Sequence, residues 1–124
     1  MDAKEKEILM DAGIDVDGGI ERCMGNEALY IRLLGMLFQD ENLDLLGRAL
    51  DSGDLSGAFS AAHTLKGVAA NLGLTPLYKV VGAMVEPLRG GEPRTDYPLM
   101  YQTVTAEFQR ARELWTLLKE GETM

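Results

Sequence analysis

A chain of 124 residues is long enough for one domain with a real core, and 46% hydrophobic with 26% charged residues describes a folded globular protein rather than a disordered one. The net charge of −8 argues against a nucleic-acid binder, which would carry a basic face. A single cysteine, Cys23, excludes a disulfide framework and a cysteine metal cluster, and it suits a reducing cytoplasm.

The first segment, Met1-Asp2-Ala3-Lys4-Glu5-Lys6-Glu7, is charged and lacks the apolar core of a signal peptide. No apolar run approaches the roughly 18 residues of a membrane span, so the expectation is a soluble cytoplasmic protein. Lys4 to Asp11 reads as a short opening helix stopped near Gly13. Asp15-Val16-Asp17-Gly18-Gly19 reads as a turn capping a short helix from about Gly19 to Met24. It lacks the further oxygen ligands and closing glutamate of a calcium loop.

From Asn26 the chain is densely apolar through Phe38, with Glu27, Arg32 and Gln39 as its polar positions, which predicts a helix contacting neighbours on more than one side. Leu43, Leu45, Leu46, Ala49 and Leu50 follow, read as a continuation of that helix with a bend, ended by Asp51-Ser52-Gly53. Asp54 or Ser52 caps the next helix. Thr75-Pro76 restarts the chain as an N-cap with proline at the first helical position. Leu77, Val80, Val81, Met84, Val85 and Leu88 form a core stripe that ends at Gly90-Gly91-Glu92-Pro93. The last helix starts at Thr95 or Asp96, and its Tyr101, Val104, Phe108, Ala111, Trp115 and Leu118 make a bundle seam. The fold class is therefore all-α: residues 1–124 form one antiparallel four-helix bundle with short N-terminal helices added.

His63 is the one histidine, in the run Ala61-Ala62-His63-Thr64-Leu65-Lys66-Gly67. At about 100° per residue, Leu65, Leu72, Ala61, Val68 and Ala58 cluster opposite it as the core side. Ser56, Ser60, Gly67 and Ala70 lie on the histidine side, with Asn71 to one flank and Phe59 and Lys66 to the other. The histidine thus faces away from the core among small neighbours that leave its ring reachable by a bulky partner. Glycine in mid-helix costs about 1 kcal/mol relative to alanine, which invites a docking explanation for Gly67. Phe59, Ser60, Ala70 and Asn71 are the candidate partner-contact residues.

An imidazole with a pKa near its ordinary ~6.5 is largely neutral at cellular pH and nucleophilic through a ring nitrogen. If that nitrogen takes a phosphoryl group, Lys66 one turn away attracts the added charge and Gly67 leaves room for the donor. The chain has no second histidine, Gly-rich phosphate loop or recognisable nucleophile motif, so autonomous kinase or phosphatase activity is not expected. One histidine and one distant cysteine make no metal ligand set.

The run Ala62-His63-Thr64-Leu65-Lys66-Gly67-Val68-Ala69-Ala70-Asn71-Leu72-Gly73 resembles the signature of histidine-containing phosphotransfer (HPt) domains. The likeness extends to Tyr30 through Phe38 before an Asp-Gly-Asp-like break and to a following helix bearing Leu77 and Glu86, covering about residues 15 to 120. It implies a four-helix bundle that carries a phosphoryl group on His63 and exchanges it with an aspartate of response-regulator receiver domains. Lys66 would support the phosphate and Gly67 would keep the approach open. The resemblance also implies a hybrid sensor histidine kinase as a further partner and Mg²⁺ in the receiver, with no cofactor, nucleic acid or membrane bound by this chain, which is expected to be a monomer. Some members carry a glutamine on the next helix that contacts the histidine ring; ungapped spacing puts Val85 there. The competing reading is a helical docking or scaffold protein that binds a kinase or receiver through the same face without being phosphorylated.

Overall fold

The computed structural model describes residues 1–123, with side chains as far as Leu118, and the described residues form seven helices and no strand. These are α1 (Ala3–Asp11), α2 (Val16–Arg22), α3 (Glu27–Leu37), α4 (Asn42–Ser52), α5 (Leu55–Asn71), α6 (Thr75–Arg89) and α7 (Tyr97–Thr123). All seven send side chains into one core that includes Leu9, Val16, Tyr30, Leu46, Leu65, Met84 and Val104.

Short polar side chains start most of these helices by accepting from backbone N–H groups that have no partner within the helix. Asp2, Asp15, Asn26 and Asp54 do so for α1, α2, α3 and α5. Gly53 closes α4 with a φ of 74°, a left-handed conformation that glycine takes without steric cost. Three expected boundaries move. Helix α2 begins at Val16, because Asp15 caps it, and Gly18 and Gly19 lie inside the helix rather than before it. At α6 the flanking residue is Leu74, and the Thr75 hydroxyl turns back to the Gly73 carbonyl at 3.4 Å instead of capping. Helix α7 begins at Tyr97, while both Asp96 carboxylate oxygens accept from Arg94 at 2.8 and 2.6 Å.

The expected continuous helix from Asn26 to Leu50 is broken at Gln39-Asp40-Glu41, where Asp40 accepts from the Asn42 backbone at 2.7 Å. The two halves still act as one strut of the bundle. Trp115 Nε1–H donates to the Ile31 carbonyl at 3.2 Å, Phe38 packs edge-on to Phe108 at 5.4 Å between centroids, and Tyr101 O–H donates to the Leu43 carbonyl at 3.0 Å. Residue numbers rise along α3 and α4 as they fall along α7, so the pair runs antiparallel to α7 along its length. Together with α5 and α6, joined by tight turns, this makes the expected four-helix bundle. Not every apolar residue of α3 is covered, since Met36 is 59% exposed.

Helix α3 and the turn before α2 hold the end of α5. The Tyr30 hydroxyl donates to the Leu72 carbonyl at 2.7 Å, and Asp15 N–H donates to the Gly73 carbonyl at 2.8 Å. These bonds satisfy carbonyls that a helix C-terminus leaves unpaired. Gly73 has a φ of 71°, and a Cβ there would lie 2.2 Å from the Asp15 carbonyl oxygen, so this clamp requires glycine.

Candidate functional site

Helix α5 packs against both α4 and α6, which widens its buried arc. Ala58, Ala61, Ala62, Leu65 and Ala69 are buried, and the four alanines let the flanking helices approach closely. The core side is therefore turned toward Ala62 and Ala69 relative to the wheel expectation, and Val68, placed in the core by that wheel, is only half-buried. His63 remains on the exposed side, as do Ser60, Gly67, Ala70 and Asn71.

No protein group among the described residues hydrogen-bonds the His63 ring. It instead stacks on Phe59, one turn earlier, with centroids 5.5 Å apart and planes 22° from parallel. The Arg89 guanidinium lies over the same phenyl ring at 5.2 Å and pairs with Glu86 at 3.3 Å. Both separations fall within the range where aromatic and cation–π attractions operate. Lys66 leans toward α6: its methylenes lie about 3.6 Å from where a Cβ on Gly82 would stand, and its ammonium sits 5.6 Å from the Tyr78 ring centre. No carboxylate pairs with Lys66 among the described residues, so its charge stays available. A Cβ on Gly67 would meet nothing within 4 Å, which leaves open space one turn beyond the histidine.

The four candidate contact residues are not equivalent. Ser60 lines a groove of about 460 Å³ between α4 and α5, shared with Leu45, Arg48 and Thr64. Ala70 borders a depression of about 260 Å³ at the far end of the same face, with Arg22 and Tyr78. Asn71 accepts from Arg22 Nε through its backbone carbonyl at 2.8 Å, which ties it to α2. Phe59 lies against the histidine itself. Sequence reasoning missed Tyr78, Gly82 and Arg89. They recur at four- and seven-residue intervals on α6 beside its core stripe, a second line that the apolar pattern hid. The pairings of Lys66 with Gly82 and of Phe59 with Arg89 set the register of the two antiparallel helices and put residue 85 across from His63. Val85 is fully buried and offers only hydrocarbon.

Comparison with known proteins follows the same helices. The family model for the Hpt domain matches residues 32–114, more than half of the chain, and spans α5, α6 and the histidine run. The chain belongs to the Hpt domain family. A crystal structure of histidine-containing phosphotransfer protein B (HptB) from Pseudomonas aeruginosa PAO1 superposes with a TM-score of 0.78 at 26% identity, covering 87% of this chain and 95% of that one. No curated protein sequence matches the chain. Membership of the Hpt family makes this a histidine phosphotransfer protein of a phosphorelay and does not favour the docking-only alternative. Hpt domains interact with receiver domains and kinases. No helix among the described residues is long and apolar enough to cross a membrane, and none of their His, Cys, Asp and Glu side chains gather in threes around a possible metal site.

Proposed function

We propose that His63 is the phosphoacceptor, and that the chain exchanges its phosphoryl group with the aspartate of a response-regulator receiver domain. The observation that carries this reading is the placement of the chain's one imidazole on the exposed side of α5, with open space beside it at Gly67. A neutral imidazole keeps a lone pair on one ring nitrogen, the group an electrophilic phosphorus requires.

In transfer from the receiver, that lone pair forms the N–P bond while the bond from phosphorus to the aspartyl oxygen breaks. The electron pair of the broken bond leaves with the aspartate carboxylate. The imidazole then carries a positive charge, discharged when its other N–H gives its proton to water. Transfer in the opposite direction reverses these steps. Lys66 swings off the Tyr78 ring by rotation about its side-chain bonds and brings its ammonium to the new phosphoryl oxygens. Gly67 lets the receiver come close. We assign the Mg²⁺ of the reaction to the receiver and the original phosphorylation to a hybrid sensor histidine kinase. In this reading the protein acts as a cytoplasmic monomer, a carrier without kinase or phosphatase activity of its own.

The test is incubation with a radiolabelled phosphorylated receiver. The expected product is label on this chain that survives alkali and is lost in acid, and that is missing from His63→Gln. Equal labelling of His63→Gln would overturn the assignment.

A further inference from the structure

We propose that Phe59 is the positioning residue of the acceptor ring, supplying through a stacked face the ring contact that the next helix supplies in those family members that have the glutamine. This rests on the reading of His63 as phosphoacceptor. Three observations carry it. The residue opposite His63 on α6 is Val85, buried and without a donor or acceptor in its side chain. No group among the described residues bonds either ring nitrogen. The imidazole nevertheless has a rigid neighbour, the Phe59 ring, stacked at 5.5 Å and 22°.

Both rings leave the same helix one turn apart, so the stack selects a side-chain rotamer of His63 with little further loss of freedom. Phe59 is itself confined. It is half-buried against the core, and Arg89 covers its ring at 5.2 Å while Glu86 holds the guanidinium at 3.3 Å. The chain Glu86–Arg89–Phe59–His63 thus runs from α6 to the acceptor without touching a ring nitrogen. Both nitrogens stay free of protein hydrogen bonds and the lone pair remains available, whereas a donor aimed at the attacking nitrogen would have to be displaced first.

A positioning role and a docking role for Phe59 give different kinetics. Ring orientation acts within the bound complex, so Phe59→Leu is expected to lower the single-turnover transfer rate at saturating phosphorylated receiver by roughly three- to tenfold, the range an aromatic pair supports. The receiver concentration giving half the maximal rate should not change, and Phe59→Tyr should restore the rate. A loss that appears only as a higher half-saturating concentration would show Phe59 to be a docking residue and overturn the proposal. Nuclear magnetic resonance provides a readout that needs neither phosphate nor a variant. In the wild-type protein the His63 carbon-bound ring protons should be shifted upfield by the phenyl ring and show cross-relaxation to Phe59 ring protons; absence of both would also overturn it. Wild-type protein that shows the stack but accepts no label would sink the phosphoacceptor reading instead, so the two failures are distinguishable.

Discussion

Three glycines inside helices of this bundle have opposite surroundings. Gly35 on α3 and Gly47 on α4 are notches: a Cβ on the first would lie 2.7 Å from the Trp115 ring, and on the second 2.6 Å from the Tyr101 hydroxyl oxygen. A Cβ on Gly67 would meet nothing within 4 Å. Each glycine costs its helix about 1 kcal/mol relative to alanine. At Gly35 and Gly47 the cost is offset inside the molecule, because α7 comes close enough for Trp115 and Tyr101 to bond to the carbonyls of Ile31 and Leu43. At Gly67 nothing inside the molecule offsets it. The same residue type therefore marks packing in one region and open surface in the other, which the proposed function reads as room for a partner.

That contrast can be broken by substitution, and the largest effect belongs to the notches. Gly35→Ala should destabilise the fold by about 1–3 kcal/mol, the usual cost of forcing an extra carbon into a packed site, because the rigid Trp115 ring must move. Urea denaturation measures this, and phosphotransfer by the folded protein should be unchanged. Unaltered stability would show that the notch is not filled in solution.

The next effect concerns the clamp at the end of α5. Tyr30→Phe should cost about 1 kcal/mol, since it leaves the buried Leu72 carbonyl without its donor. Burial, and after it the Asp15 charge, raise the Tyr30 phenol well above its ordinary value of 10.0. Above that pH the unfolded chain loses the proton while the folded chain keeps it, so this contribution is intact below about pH 10 and declines as pH rises further. Unfolding midpoints at about pH 8 and pH 11 should therefore differ less in Tyr30→Phe than in the wild type. An equal difference would remove Tyr30 from the account.

The smallest stability effect, and of opposite sign, is expected at Gly67. Gly67→Ala should stabilise the protein by up to about 1 kcal/mol in thermal or urea unfolding. Gly67→Leu should keep the helicity by circular dichroism yet slow transfer from a phosphorylated receiver by about tenfold or more, equivalent to ~1.4 kcal/mol. Unchanged transfer in Gly67→Leu would refute the access argument and with it the distinction from Gly35 and Gly47.

Much of this was readable from the chain. The direction of His63 followed from helical period alone, because alanines and leucines accumulate on one side of α5 and the other side has almost none. Capping at Asp54 was legible because a short acidic side chain follows the Gly53 stop, whereas Asp15 reads in the sequence as part of a turn ahead of a helix from about Gly19 rather than as the cap of one starting at Val16. The break after Phe38 reads in the sequence only as a bend, because apolar residues resume at Leu43 on the far side of four polar ones; the Asp40 carboxylate, accepting from the Asn42 backbone and side chain, marks it as a separate helix start. The notches at Gly35 and Gly47 were also hidden, because what fills them lies over 50 residues away in the chain. The tower of Arg89 on Phe59 depends on the register between α5 and α6, which no pattern within either helix states.

The central claim is that the phosphoryl group is carried by the His63 ring. Because the chain has one histidine, its nitrogen-15 spectrum contains one imidazole, and a spectrum taken before and after addition of phosphorylated receiver reads that ring without ambiguity. The account predicts a large shift of one ring nitrogen on phosphorylation, with coupling to phosphorus-31. Protein that takes up label while both imidazole nitrogens keep their original shifts would contradict it.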